Sequence, residues 1–123
     1  MTWISLSIAI ALLLVLLFLK RGHRISPKAA SDYLRNGALV IDVRSAGEFT
    51  SGHLPKAVNI PLSEIDSVIS RKVSDKNQVL LLHCQSGMRS KQAVTRLKAL
   101  GYQNAFNLGS YRRAAEALSR QAE

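Results

Sequence analysis

The first nineteen residues of the chain carry no charged side chain, and that fact divides its 123 residues into two parts with different solvents. Trp3 to Leu19 is apolar apart from Ser5 and Ser7. A helix of roughly nineteen residues, at about 1.5 Å each, nearly matches the hydrocarbon thickness of a bilayer. A segment apolar on every face, lying outside a domain that looks complete without it, is expected in lipid rather than in a soluble core. Lys20, Arg21 and Arg24 follow at once while no basic side chain precedes, so the positive-inside bias places the C-terminal side in the cytoplasm and the N-terminus outside. Trp3 suits an interfacial anchor at the far end. A cleaved signal peptide would carry basic residues before its apolar stretch and a small-x-small site after it, and this chain has the charges after. The expected organisation is a transmembrane helix over 1–20, a basic juxtamembrane linker over 21–25 with His23 unpartnered, and a domain over 26–123.

About a hundred residues remain for a soluble core, enough for one small domain. Ser26-Pro27 reads as the cap and first turn of a helix that Gly37 ends, with Ala30, Tyr33 and Leu34 on its apolar face. Ala38 to Val43 reads as a strand, Ser45 to Ser51 as a short helix stopped by Gly52, and Ala57 to Ile60 as an extended stretch closed by Pro61. Ser63 with Asp66 resembles a capping box ahead of a brief helix through Ile69. Val79 to His83 reads as a buried strand, Ala93, Val94, Leu97 and Leu100 as the face of a helix ending near Gly101, Ala105 to Leu108 as a last strand, and Tyr111 to Gln121 as a closing helix. Strands alternating with helices predict an α/β domain with a mainly parallel sheet, its ligand pocket beyond the carboxyl ends of the strands.

The formal charge of +9 resembles a nucleic-acid signal until it is located. Lys20, Arg21, Arg24 and Lys28 sit at the membrane end, where anionic headgroups would meet them, and the rest leave +5 spread over the domain. With no basic stripe interleaved with aromatics, no nucleic-acid partner is expected; a mild positive field suits a small anionic substrate. A single cysteine excludes an intrachain disulfide framework and agrees with a reducing compartment. One cysteine with His23, His53 and His83 offers no metal-ligand spacing, so no metal is expected.

That cysteine, Cys84, lies where the apolar run Val79–His83 ends and the turn Gln85, Ser86, Gly87, Met88, Arg89, Ser90 begins. At a strand-loop-helix corner the first amides of the helix have no intrahelical partner and favour an anion. A thiol held there ionises readily, and the thiolate is the attacking form. Arg89 adds a permanent cation whose planar fork suits an oxyanion. The alternative is a small buried hydrophobe at a strand end. The functional reading requires a sulfur that solvent reaches, ringed by the amides of Gln85 to Ser90. Strand alternation turns His83 to the face opposite Cys84, as a packing residue.

Three stretches together identify the domain from about Ile25 onward as a member of the rhodanese family of sulfurtransferases: VIDVRSAGEFTSGHLPKAVNIP (Val40 to Pro61), VLLLHCQSGMRS (Val79 to Ser90) and LKALGYQNAFNLGS (Leu97 to Ser110). The resemblance implies a three-layer fold and a Cys84 that takes a sulfane sulfur as a persulfide and passes it to a thiophilic acceptor, with no cofactor beyond that covalent intermediate. It implies a small anionic donor such as thiosulfate or a polysulfide, a thiol or protein acceptor, and an Arg89 that holds the donor's oxyanion. Asp42, Arg44, Glu48 and His53 fall where the family mostly makes buried ion pairs and loop hydrogen bonds; Arg44 and Asp42 are the candidate supports of the pocket. Related phosphatases place five residues between the cysteine and arginine, and this chain has four, a cradle sized for sulfur rather than for a phosphoryl group. A membrane-tethered persulfide carrier or sensor, or a protein-interaction module, with marginal turnover is the other class. Where the family commonly has a Gly-Gly pair and a tryptophan, this chain has Gly109-Ser110 and Tyr111.

Overall fold

The computed structural model describes residues 2–21 and 24–122. Helix α1 (Thr2–Arg21) is exposed along its whole apolar length, and by length and composition it is sufficient to cross a membrane. His23 and part of the expected linker lie outside the described residues.

The domain begins at α2 (Pro27–Arg35), where Ser26 accepts the Ala29 N–H and Pro27 occupies the first turn, as its sequence predicts. Four strands follow in the chain: β1 (Leu39–Asp42), β2 (Val58–Asn59), β3 (Leu80–His83) and β4 (Ala105–Gly109). They pair in the order β2-β1-β3-β4, every pair parallel. β3 is buried at all four residues, which is why it reads as an unbroken apolar run rather than an alternating one. Helices α4 (Ile65–Lys72) and α5 (Met88–Ala99) cover one face over Ile41, Leu80, Leu82, Cys84 and Ala105. On the other face α2 and α6 (Tyr111–Ala122) pack together over Leu81 and Leu108. The short α3 (Ala46–Ser51) lies after β1, with a full capping box between Ser45 and Glu48.

Two local expectations are corrected. Ser63 does not cap α4: the chain first makes a 3₁₀ turn at Leu62–Glu64, its Glu64 N–H donating to the Pro61 carbonyl, so the helix starts at Ile65 with no side-chain cap. The helix also runs on to Lys72. Beyond β4, the backbone at Arg24 and Ile25 extends the sheet, the Ile25 N–H donating to the Asn107 carbonyl at 3.2 Å.

Candidate active site

Cys84 follows the last residue of the central strand, so its position is set by the most buried element of the domain. Between β3 and β4 the register shifts, Leu82 facing Asn107 and His83 facing Gly109. That bulge lets the Cys84 N–H reach the Gly109 carbonyl at 3.2 Å and brings the start of α6 up beside the loop. The loop is then tied down: Ser86 bridges Ser110, and the Tyr111 N–H donates to the Gln85 carbonyl. The expectation of a solvent-reachable sulfur is overturned by this closure, since Cys84 is 0% exposed.

The amides nevertheless face the sulfur. No side chain caps the N-terminus of α5, and Sγ takes the capper's place, accepting the Gly87 N–H at 3.0 Å. Gly87 has φ +96°, a left-handed conformation that L side chains rarely adopt, and a Cβ there would meet the Gly109 backbone at 3.4 Å. Burial pushes the Cys84 thiol up, but the Ser90 amide, the Ser90 hydroxyl and the Gly87 and Ser86 amides outweigh it and hold the thiol below its ordinary value.

Ser90 and Asn107 brace this arrangement. The Ser90 hydroxyl has one proton and four acceptors in reach: Asn107 Oδ1 at 2.7 Å, the Gly87 carbonyl at 3.1 Å, the Gly109 carbonyl at 3.5 Å and Cys84 Sγ at 3.6 Å. The shortest contact takes it at rest, so amides hold the sulfur until ionisation makes Sγ the stronger acceptor. Asn107 Oδ1 also accepts the Gly109 N–H at 3.0 Å, and its Nδ2 donates to the Gly87 carbonyl at 3.3 Å. Sequence reading missed Asn107; its signal is a lone amide inside the apolar run Ala105–Leu108, on the face that Ala105 shares with α5. The remaining loop residues, Gln85, Ser86 and Met88, are exposed, Met88 at 63%.

Arg89 is half-buried and already paired. Its Nη1 and Nη2 donate to both oxygens of Glu48 at 2.7 and 3.0 Å, a bidentate pair across 41 residues of sequence. The Arg89 guanidinium and the Ser45 amide hold the Glu48 carboxyl down to about 2. Glu48 was expected among structural ion pairs, but its partner is the residue assigned to the donor. Val43, Ala46, Leu62 and Arg89 are among the residues lining a cleft of about 440 Å³ beside this pair.

Arg44 and Asp42 form a second, buried pair behind the loop. The Arg44 Nε and Nη2 donate to the Asp42 carboxylate at 2.8 to 3.0 Å, and Nη2 also reaches the Gly52 carbonyl at 2.7 Å. The guanidinium lies 4.8 Å from the centre of the Tyr111 ring, which joins this pair to the start of α6. Neither side chain reaches the sulfur by any hydrogen bond, so they support the loop through Tyr111 rather than line it. His83 is on the opposite face from Cys84, as alternation requires, edge-on to Tyr111 at 5.7 Å. Burial pushes its imidazole down, so it is neutral near pH 7. Its Nε2, 3.8 Å from Asp42 Oδ2, has no hydrogen-bond partner among the described residues. His53 lies flat against Phe49 and hydrogen-bonds its carbonyl, away from the sulfur.

A parallel sheet in three layers, with a thiol in a ring of helix-start amides, defines a class, and the comparisons agree with it. The family model of the rhodanese-like domain matches residues 26–116. Thiosulfate sulfurtransferase PspE of Escherichia coli strain K12 is 38% identical over 69 residues, covering 56% of this chain and 66% of that protein. Human thiosulfate:glutathione sulfurtransferase is 33% identical over 99 residues, 70% of this chain and 86% of that one. Among solved structures, the human single-domain sulfurtransferase TSTD1 matches with a TM-score of 0.66 at 32% identity, covering 76% of this chain and 96% of that one. The chain belongs to the rhodanese-like family, as an enzyme of the sulfurtransferase kind.

Proposed function

We propose that the protein moves sulfane sulfur through a persulfide on Cys84. The observation that carries this reading is the amide ring: a buried sulfur that accepts the Gly87 N–H, and whose thiol the Ser86, Gly87 and Ser90 amides hold below its ordinary value, is built to be an anion. Cys84 is covered at rest, so the step requires the loop over it, whose Gln85, Ser86 and Met88 are exposed, to move aside. The Cys84 thiolate then attacks the outer sulfur of thiosulfate, the S–S bond of the donor breaks, and sulfite leaves with the bonding pair. A thiolate acceptor then attacks the outer sulfur of the persulfide and Cys84 leaves as the thiolate. The charge that moves onto the second sulfur stays beside the same amides, so no general base and no cofactor are needed. Mass spectrometry of the protein after incubation with thiosulfate, and separately with polysulfide, should show a gain of one sulfur on Cys84 that cyanide or a thiol removes; no gain from either donor would refute the reading. The covered sulfur and the occupied Arg89 favour a second reading, a persulfide carrier with slow turnover, in which polysulfide loads efficiently and thiosulfate:cyanide turnover is weak.

The surroundings follow from α1. Its exposed apolar faces and the basic residues after it support a single-pass anchor with the domain over 26–123 on the cytoplasmic side. Protease added to sealed inside-out vesicles should therefore digest the domain, and added to right-side-out vesicles should leave it intact; the reverse pattern would invert the topology.

A further inference from the structure

The cation that a sulfonate-bearing donor would use is already paired. Arg89 gives both terminal nitrogens to Glu48, at 2.7 and 3.0 Å. Glu48 is itself held from behind, where its Oε1 accepts the Ser45 N–H at 3.2 Å and the Ser45 hydroxyl at 3.0 Å in the capping box of α3. Arg44, a second arginine at this end of the sheet, is consumed by Asp42 and the Gly52 carbonyl, and Arg96, beside the cleft, donates to the Leu62 carbonyl at 3.1 Å. A thiosulfate dianion approaching a Cys84 thiolate therefore meets a compensated guanidinium. Arg89 keeps further N–H donors, but an anion that takes them lies beside a carboxylate anchored at two points that cancels most of the guanidinium's charge. Glu64, on the wall of the neighbouring cleft, adds a second negative group. Val43, Ala46, Pro61 and Leu62 give that wall an apolar part, beside Ser45 and Ser63, that fits an organic leaving group.

We infer that Glu48 sets the charge class of donor this site accepts, favouring sulfane-sulfur donors whose leaving group is organic and carries at most one negative charge over thiosulfate. The inference rests on the Cys84 persulfide reading. In the step concerned, the Cys84 thiolate attacks the terminal sulfur of a thiosulfonate, the S–S bond breaks, and a sulfinate leaves with the pair; no proton and no oxidant is involved.

Methanethiosulfonate and thiosulfate make the test, because a methyl group in the first replaces a charged oxygen in the second. In the unmodified protein KM is the lower for methanethiosulfonate, and the opposite order overturns the inference without any variant. Glu48→Gln keeps an oxygen for the Ser45 cap and removes the charge. It should raise the kcat/KM ratio of thiosulfate to methanethiosulfonate by about fivefold or more, chiefly through KM for thiosulfate, as expected for removing a unit charge a few ångströms from a dianion near the surface. Comparing ratios cancels the intrinsic reactivity of the two donors. A ratio within twofold of the unmodified protein's, in a variant that still melts cooperatively, overturns the inference. Absence of a sulfur on Cys84 from either donor instead indicts the persulfide reading, whereas loading from both with a fixed ratio indicts Glu48 alone.

Discussion

Cys84→Ser should take up no sulfur from any donor and lower sulfur transfer to the uncatalysed background, with the fold retained. Serine is nearly isosteric, and its hydroxyl can still accept the Gly87 N–H that Sγ accepts at 3.0 Å, so the loop keeps its shape. What it lacks is ionisation. Cysteine is the chain's only thiol, and the amides that hold its value below the ordinary one raise its thiolate fraction above that of a free thiol, which a hydroxyl cannot match. The same depression fixes a pH dependence. Sulfur loading of the unmodified protein should follow the thiolate, with a midpoint below that of an ordinary thiol and a fall only as pH drops through the lowered value. The linked stability has the same sign: a thiol whose folded value lies below its unfolded one adds stability that is complete above about pH 8.5 and is lost as pH falls through the folded value. Loading rates by mass spectrometry between pH 5 and 9, beside the melting curve of Cys84→Ser, check both. Residual loading in the serine variant would move the sulfur acceptor elsewhere.

The strand that carries Cys84 was legible because burial on both faces writes itself as Leu80, Leu81, Leu82, and the two-residue period alone turned His83 away from the sulfur. The α2 cap was legible because Ser26-Pro27 acts within one turn. Long-range consequences were not. Glu48 and Arg89 are 41 residues apart, and each alone reads as an ordinary cap residue or an ordinary anion binder. Only the parallel sheet brings α3 beside the start of α5. The covering of Cys84 was equally hidden, since it depends on where the bulge in β4 puts Gly109 and Ser110 relative to the loop. The failed Ser63 cap has a local cause, the 3₁₀ turn after Pro61, which takes up the residues that a capping box needs.

Asp42→Ala should be among the most damaging substitutions for stability, and the reason lies in what it leaves behind. Arg44 is 6% exposed, and its Nε and Nη2 together with its own backbone N–H point at the Asp42 carboxylate. Without that partner a guanidinium stays buried with the Gly52 carbonyl and the Tyr111 face as its remaining contacts. Breaking a buried pair from one side costs about 3–5 kcal/mol, which for a domain of this size lowers the melting temperature by at least about 12 °C. The loss should spread to the site, because Tyr111, which packs on Arg44, also ties the loop through its N–H to Gln85. Thermal unfolding followed by circular dichroism measures the first effect, and sulfur loading at a temperature where the variant remains folded measures the second. The double variant Asp42→Leu with Arg44→Met separates charge from packing: it removes both buried charges while keeping bulk, and should regain more than half of the lost stability. If the double variant is no more stable than Asp42→Ala, the damage comes from lost hydrogen bonds to the Arg44 amide and Gly52 rather than from a stranded cation.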